Sequence, residues 1–319
     1  MNKDSKIYVA GHRGLVGGAI QRKLQNEGYT NLMIRSHVEL DLLDQAAVNN
    51  FFEKEKPEYV FLAAAKVGGI WANSIYPADF IYQNTMIGFN VVNAAYKNNV
   101  KKLINLGSSC IYPKLAPQPM KEEYLLTDLL EPTNEAYAIA KINVIKLCTF
   151  FNQQYGTNYL SVMPTNLYGP GDNYDPDGSH VLPALIRKFH EAKVSRFDRV
   201  ILWGDGSPRR EFLYSDDLAE ALVMLMQKYD ANDLSNSAGD FVNIGSGKDL
   251  TIKELAEIIR DIVYKSISDR TCHIEWDTLK PNGTPQKLLD ISRINKLGFF
   301  PKIELSYGID LAYKDYLLQ

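Results

Sequence analysis

Short apolar segments alternate with longer amphipathic segments through the first half of the chain. The apolar segments predict buried strands at 7–10, 32–35, 59–62, 103–106 and 160–163. Between them, apolar residues recur every three or four positions, which predicts helices at 19–27, 42–56, 77–99 and 134–156. Strands that are apolar throughout and separated by helices are typical of a parallel sheet covered on both faces. The pattern therefore predicts an α/β fold with a doubly wound parallel sheet.

The pattern becomes less regular after "PTNLYGPG" (164–171). Helices are expected at 181–192, 216–228 and 252–264, and strands at 200–203 and 241–244, separated by loops rich in Gly, Pro, Asp and Asn. We interpret 1–165 as the first domain, with later contributions from about 205–240. Residues 166–319 are expected to form a smaller, interleaved C-terminal α/β lobe that binds substrate.

Composition limits the classes of function. The chain has 319 residues, of which 45% are hydrophobic and 23% charged, and its net charge is −3, as in ordinary soluble domains. The absence of a long basic tract argues against nucleic acid and anionic membranes as partners. We see neither an apolar run of about 18 residues that could span a membrane nor a signal peptide. Three cysteines are few and odd in number, which argues against a disulfide framework. We therefore expect reduced thiols and a cytoplasmic protein.

A glycine-rich segment follows the first predicted strand. Gly11, Gly14 and Gly17 lie between that strand and a helix, where backbone N–H groups can bind a pyrophosphate. This is the dinucleotide site of a Rossmann-type fold. No acidic residue lies about 20 positions beyond the first glycine, where an NAD site usually has one. The basic residues Arg13, Arg35 and His37 suit a 2′-phosphate instead, so we expect NADP(H).

A candidate catalytic group follows further along the chain. Tyr137 and Lys141 are four residues apart on a predicted helix, so that both project from one face. A nearby ammonium makes a phenol a better general acid. Ser108 follows the fourth strand, at the sheet edge where such folds bind ligands, and could hydrogen-bond a substrate carbonyl.

These features resemble the extended short-chain dehydrogenase/reductase superfamily over nearly the whole chain. Ser108, Tyr137 and Lys141 match its catalytic triad, "LAAAKVGG" (62–69) matches the segment beside the cofactor, and "PTNLYGPGDN" (164–173) matches the segment between nicotinamide and substrate. Within the superfamily, "AGHRGLVG", "GSSCIYPKLAPQPM", "EPTNEAYAIAK" and "KPNGTPQKLLD" resemble bifunctional enzymes that convert GDP-4-keto-6-deoxy-D-mannose to GDP-L-fucose. The resemblance implies a 3,5-epimerase that is also an NADPH-dependent 4-reductase.

The same resemblance supplies the expected binding residues. Those expected to bind NADP are Gly11, His12, Arg13, Gly14, Leu15, Val16, Gly17, Arg35, His37, Asp41, Leu42, Leu106, Gly107, Ser108, Lys141, Pro164, Asn166, Leu167 and His180. Those expected to contact the GDP-sugar are Lys188, Trp203, Arg210, Asn282 and Lys287. Two positions depart from the pattern, because Asn282 stands where relatives have an aspartate and His37 where they have an arginine. No spacing of Cys, His and carboxylates suggests a metal site.

Cys110 has a chemical reason to follow Ser108 closely. In a 4-keto sugar the C–H bonds at C3 and C5 are acidic, and epimerisation there needs a base on one face and an acid on the other. A thiol can be that base if its surroundings are electropositive, and a histidine can supply the acid. The resemblance assigns these roles to Cys110 and His180.

A homodimer is also expected. The helices predicted at 77–99 and 134–156 resemble those that pair into a four-helix bundle across a two-fold axis in this superfamily. They carry more apolar side chains than one face of a sheet covers: Phe80, Ile81, Met86, Phe89, Ile145, Phe150 and Phe151.

Three alternatives remain open. A 4,6-dehydratase of the same superfamily needs an acid pair where this chain has Ser109 and Cys110, which disfavours that alternative. A simple 4-epimerase with tightly held NAD has no use for Cys110 and His180. A non-catalytic NADP-sensing regulator has no need to keep Ser108, Tyr137 and Lys141 together.

Overall fold

Thirteen strands and ten helices are seen in the part of the chain that the computed structural model describes, which comprises residues 1–176, 178–265, 272–280 and 282–319. The strands are β1 (Ile7–Ala10), β2 (Leu32–Met33), β3 (Tyr59–Leu62), β4 (Lys102–Leu106), β5 (Tyr159–Pro164), β6 (Asn166–Tyr168), β7 (Arg199–Trp203), β8 (Arg209–Tyr214), β9 (Ser235–Asn236), β10 (Gly239–Ile244), β11 (Asp249–Thr251), β12 (His273–Asp277) and β13 (Gln286–Lys287). The helices are α1 (Leu15–Asn26), α2 (Gln45–Glu55), α3 (Ile70–Ile75), α4 (Pro77–Lys97), α5 (Glu135–Tyr155), α6 (Val181–Val194), α7 (Ser215–Lys228), α8 (Ile252–Tyr264), α9 (Ser292–Lys296) and α10 (Leu305–Tyr316).

The main sheet has seven strands in the order β2–β1–β3–β4–β5–β10–β9. All neighbours are parallel except β9, which pairs antiparallel with β10. Strands β1, β4, β5 and β10 are buried along their whole length, because helices cover both faces: α1 and α7 pack on one, and α2, α4 and α5 on the other. The predicted doubly wound parallel sheet is confirmed.

A second, smaller layer is built around β8. This strand pairs with β11 antiparallel and with β6 and β13 in parallel, while β7 and β12 form a separate two-stranded sheet. Helices α6, α8 and α10 pack around these strands through one apolar cluster. Between β8 and β11 the chain returns to the main sheet as α7, β9 and β10, so the return spans 215–244 rather than the expected 205–240.

Several element boundaries differ from the sequence prediction. Helix α1 begins at Leu15 instead of residue 19, because Gly14 already serves as its N-cap. Strand β2 has two residues instead of four, since only Leu32 and Met33 pair with β1. The short helix α3 and the strands β6, β8, β11, β12 and β13 were not predicted, nor were α9 and α10. No helix of the described residues is long and apolar enough to cross a membrane.

Candidate active site

A cleft of about 730 Å³ lies along the carboxyl edge of the main sheet. Its walls come from the segments that follow β1, β3, β4 and β5 and from the loop between β6 and α6. The carboxyl edge is where open parallel sheets bind their ligands, and the volume is in the range of cofactor sites. Every residue expected to bind NADP lines this cleft except His12. The ring of His12 has a buried Nδ1 without a hydrogen-bond partner in the described part of the chain, and burial lowers its pKa.

The glycine loop is closely packed at one wall of the cleft. Gly11 has a φ of +84°, and a Cβ there would lie 2.7 Å from the backbone nitrogen of Ala64. A Cβ on Gly17 would overlap the carbonyl of Gly11. Helix α1 then begins at Gly14 with no side-chain cap and no acidic residue in its first turn. Its first N–H groups and the helix dipole are thus available to an anion, which fits a pyrophosphate.

The basic residues that follow β2 also line the cleft. Arg35 donates to the carboxylate of Glu55 over 3.0 Å and lies over the ring of Phe51. The imidazole Nδ1 of His37 is 3.6 Å from the carboxylate of Asp41. Arg13 is exposed and has no ion pair among the described residues. The cluster retains a positive charge for a 2′-phosphate, although Glu55 shares the guanidinium of Arg35.

Ser108, Tyr137 and Lys141 meet where β4 ends. The hydroxyl of Ser108 is hydrogen-bonded to Tyr137, and the Nζ of Lys141 is 5.6 Å from the centre of the Tyr137 ring. The ammonium of Lys141 donates to the carbonyl of Leu106 over 2.8 Å. Burial raises the pKa of Tyr137 and lowers that of Lys141 to about 8. The phenol is therefore protonated, with a cation beside it.

Cys110 lies in a short 3₁₀ helix directly after Ser108. Its backbone N–H donates to the hydroxyl of Ser108, and only 7% of the residue is exposed. Burial raises the pKa of the thiol, while Lys287, a hydrogen bond with Ser108 and Lys141 oppose that effect. All three cysteines of the chain are free. The thiol of Cys110, which is the predicted base, thus interacts electrostatically with Ser108 and Lys141 of the triad.

His180 is the N-cap residue of α6 and faces the cleft. The residue is reachable from solvent through the cleft, but protein atoms surround the imidazole, and this burial lowers its pKa. Burial alone therefore favours the neutral imidazole near neutral pH.

The β6–α6 loop that carries His180 is attached to the C-terminal helix α10. The N–H of Gly171 donates to the Asp315 carboxylate over 2.9 Å, and the hydroxyl of Tyr174 donates to the carbonyl of Ala312 over 3.0 Å. On its other side, the carbonyl of Gly178 accepts from the N–H of Gly69 at the start of α3. The loop is therefore fixed from both lobes.

The five residues expected to contact substrate fall into two groups. Arg210 and Lys287 are register partners on β8 and β13, and burial lowers the pKa of both. The other three lie further out: the Nζ of Lys188 donates to the carbonyl of Ile201, Trp203 is 58% exposed, and Asn282 accepts from the N–H of Asp205. An exposed indole suits a nucleobase, and buried cations suit phosphates.

Some residues of the site were not predicted. Gln83, Thr165, Asp172, Asn173 and Ser179 line the cleft. Burial raises the pKa of Asp172 to about 7. The carboxylate of Glu131, which is 9% exposed, is 3.1 Å from the Nζ of Lys114 and interacts with Arg210 and Lys287. Glu131 belongs to the "EPTNEAYAIAK" segment, which was the available signal for it.

Known proteins resemble this chain closely. The model of the family described as "NAD dependent epimerase/dehydratase family" matches residues 7–245. The chain is 56% identical to GDP-L-fucose synthase 1 of Arabidopsis thaliana over 99% of this chain and 94% of that protein. It is 52% identical to GDP-L-fucose synthase of Escherichia coli, over 98% and 96%. A GDP-mannoheptose C4 reductase from Campylobacter jejuni, solved with NADP bound, superposes with a TM-score of 0.89 at 41% identity, over 99% of each chain.

Proposed function

The chain belongs to the NAD dependent epimerase/dehydratase family and, within it, groups with the GDP-L-fucose synthases; we propose that it converts GDP-4-keto-6-deoxy-D-mannose to GDP-L-fucose. The conversion comprises epimerisation at C3 and C5 and an NADPH-dependent reduction at C4. One observation carries the proposal: the backbone N–H of Cys110 donates to the hydroxyl of Ser108 over 3.4 Å, which places Cys110 directly beside the reductase triad. Two kinds of proton-transfer group are thus available to one sugar.

NADPH fits the cleft described above. The first turn of α1 and the glycine loop would bind its pyrophosphate, and Arg13, Arg35 and His37 would bind the 2′-phosphate. Lys141, Asn166 and Leu167 line the wall where the nicotinamide ribose would lie. When bound, NADPH supplies the hydride for C4. Relatives with NADP bound support this cofactor.

Epimerisation uses Cys110 and His180. The thiolate of Cys110 removes the proton from C3, and then from C5, because the C4 carbonyl stabilises each enolate. Ser108 hydrogen-bonds the carbonyl oxygen on which the negative charge collects. His180 returns a proton to the opposite face. The negative charge of the enolate favours the protonated imidazole and offsets the effect of burial on its pKa.

Reduction uses Tyr137 and Lys141. As hydride reaches C4, the oxygen becomes an alkoxide, and the phenol of Tyr137 donates its proton to that oxygen. The ammonium of Lys141 stabilises the phenolate that remains, and its hydrogen bond to the carbonyl of Leu106 holds it in position. Ser108 orients the carbonyl through its contact with Tyr137.

The proposal is tested with Cys110→Ser. The purified protein is given GDP-4-keto-6-deoxy-D-mannose in deuterated water, with and without NADPH. The wild type should incorporate deuterium at C3 and C5 and, with NADPH, form GDP-L-fucose. In the variant, exchange should fall by roughly two to four orders of magnitude, because a general base is lost. NADPH binding should be unchanged, since the substitution is nearly isosteric.

Cys148→Ser is the matched control, because Cys148 is equally buried but lies in the apolar cluster between α4 and α5. It should exchange deuterium at the wild-type rate. A pure C4 reductase would oxidise NADPH without exchanging deuterium, in which case the thiol would have no role in epimerisation. Absence of both reactions with the wild type would contradict the proposed substrate.

The chain is also proposed to form a homodimer in the cytoplasm. Helices α4 and α5 pack side by side and leave Tyr82, Phe89, Phe150 and Tyr155 exposed on their outer surface. A second copy would cover this surface in a four-helix bundle with two-fold symmetry. Three free cysteines are consistent with a reducing compartment.

A further inference from the structure

Glu211 is a buried carboxylate that the proposed reaction does not use. It is 0% exposed, and no ion pair with it is seen in the described part of the chain. One carboxylate oxygen accepts from the N–H of Gly247 over 2.7 Å, and the other accepts from the N–H of Leu289 over 2.9 Å. Burial of a charge is costly unless its hydrogen bonds are specific. The bond from Leu289 attaches β8 to the segment that follows β13, and the bond from Gly247 attaches it to the loop before β11.

The backbone of Glu211 faces the cofactor cleft. Its carbonyl accepts from the side-chain amide of Asn166 over 2.8 Å and from the hydroxyl of Thr165 over 3.2 Å. Both of these residues line the cleft. One residue thus holds the cleft wall with its main chain and the β13 segment with its side chain.

The β13 segment lies beside the 3₁₀ helix of Cys110. Leu289 forms a β-bridge with Met120, whose N–H donates to the carbonyl of Leu288 over 2.7 Å. Leu289 and Met120 belong to the same buried apolar cluster as Ile111 and Tyr112, the two residues after Cys110. Lys287 lies two residues before Leu289, and Cys110 lies one residue before Ile111. This packing therefore brings the two residues to one region of the molecule, where each group affects the ionisation of the other.

We propose that Lys287 is the counter-ion of the Cys110 thiolate and that Glu211 is the positioning residue that holds Lys287 beside the sulfur. This proposal rests on the proposed function, in which epimerisation needs the thiolate form of Cys110. Burial of the residue favours the neutral thiol instead. The thiol loses its proton to water, and the ammonium of Lys287 stabilises the sulfur anion that results.

Other groups also act on the thiol of Cys110. Lys141 and Tyr137 face it from α5, and Ser108 hydrogen-bonds it from its own turn. Lys141 has the weaker effect of the two lysines on the thiol. Arg210 and Glu131 act on Lys287 rather than on the sulfur. Lys287 is therefore the group whose removal changes the thiol most directly.

The test is a pH titration of the thiolate by its ultraviolet absorbance, taken as the difference between each protein and its Cys110→Ser counterpart. No sugar is present, so the result does not depend on the proposed substrate. Lys287→Met should move the midpoint of the titration to higher pH, because a cation that favours the charged form is lost. Lys287→Arg keeps the positive charge, so the midpoint of its titration should lie close to that of the wild type. Lys121→Met removes an exposed lysine and should leave the midpoint unchanged.

Glu211→Gln tests the positioning role. The amide has nearly the same volume but offers one acceptor oxygen in place of two, so one of its backbone N–H partners is lost. The titration should shift in the same direction as in Lys287→Met, by less, and deuterium exchange into the sugar should fall by about tenfold or more. NADPH binding and the thermal unfolding midpoint of Lys287→Met should match those of the wild type. The titration of Lys287→Met therefore still tests the proposal if Glu211→Gln folds poorly.

Two results would overturn the inference. One is a titration that does not move in Lys287→Met, even if the KM for the GDP-sugar rises, since Lys287 would then serve the substrate alone. The other is a shift of equal size in Lys121→Met, because the effect would then reflect general charge. Failure of the wild type to make GDP-L-fucose would contradict the proposed function and leave the titration result standing.

Discussion

At the scale of a single residue, a substitution of Tyr137 should separate reduction at C4 from epimerisation at C3 and C5. In Tyr137→Phe, reduction should fall by roughly two to four orders of magnitude, because the C4 alkoxide loses its proton donor. Deuterium exchange at C3 and C5 should persist, since the acidity of these positions comes from the carbonyl and the base is Cys110. NADPH oxidation and exchange are measured on the same sample. Tyr112→Phe, which removes a buried hydroxyl bonded to Asn243 outside the cleft, is the control. Parallel loss of exchange in Tyr137→Phe would mean that the phenol also polarises the carbonyl.

Lys141 should set the alkaline limit of the reductase. Because burial lowers its pKa from 10.5 to about 8, the ammonium is lost well below the pH at which a free lysine titrates. The kcat/KM for reduction should therefore fall as pH rises through about 8, as a profile of initial rates would reveal. The unfolded chain keeps this proton to higher pH, so the free energy of unfolding should rise between about pH 8 and 10.5.

Lys146→Met is the control for that profile. Lys146 is on the same helix and burial also lowers its pKa, but it donates to the carbonyl of Ala238 away from the cleft. The variant should keep the alkaline limit. A wild-type profile that stays flat above pH 8 would contradict the assignment to Lys141.

The sequence predicts residues of the site only where they are part of a motif. Ser108, Tyr137 and Lys141 have fixed spacing on a strand end and a helix, so their meeting follows from the fold. Glu211 has no such spacing: its partners, Gly247 and Leu289, come from distant segments. Asp172 lies in the segment 164–173 that was expected beside the substrate, but its burial is apparent only in the folded cleft. His12 was expected to contact the cofactor on the basis of the resemblance, and it is not among the residues that line the cleft.

At the scale of elements, the crossing of α4 and α5 depends on Gly88. A Cβ at this position would overlap the side chain of Val144, and a β-branched residue in a helix has almost no alternative rotamer. Gly88→Ala should therefore destabilise the protein by about 1–3 kcal/mol, although alanine favours helix by about 1 kcal/mol. Chemical denaturation measures the change.

Gly18→Ala in α1 is the matched control. A Cβ there would meet its nearest atoms at 3.4 and 3.5 Å, which is ordinary contact. This variant should be neutral or more stable by up to about 1 kcal/mol. Equal destabilisation of both variants would indicate that the crossing of α4 and α5 can adjust.

Helices and strands with a clear pattern of apolar residues were predicted well, and those without such a pattern were missed. The buried strands β1, β3, β4, β5 and β10 are mostly apolar, and periodicity identifies α5 and α8 almost to the residue. Strand β8 begins with two arginines and a buried glutamate, so its sequence does not resemble a core strand. The two- and three-residue strands β6, β9, β11 and β13 are too short to have a period. Their position is set by tertiary pairing.

At the scale of the whole molecule, we expect the outer surface of α4 and α5 to be covered by a second copy of the chain in a dimer. Tyr82 and Phe150 are 63% and 57% exposed, and such aromatic patches mark interaction surfaces. Light scattering should give twice the chain mass for the wild type at micromolar concentration. Phe150→Glu places a charge in the interface and should shift the mass toward the monomer. Phe300→Glu changes an equally exposed phenylalanine elsewhere and should remain dimeric. A monomeric wild type would contradict the proposal.

The attachment of the β6–α6 loop to α10 has a consequence for the order of biosynthesis. On the ribosome, the glycine loop, Ser108, Tyr137 and Lys141 emerge first, and the early strands β1 to β5 can already begin to pair. The loop that carries His180 receives its anchors, Asp315 and the carbonyl of Ala312, only when α10 has been translated. Because this loop also lines the cofactor cleft, we expect a nascent chain to complete both the cleft and the position of the proposed acid, His180, only near the end of its own translation.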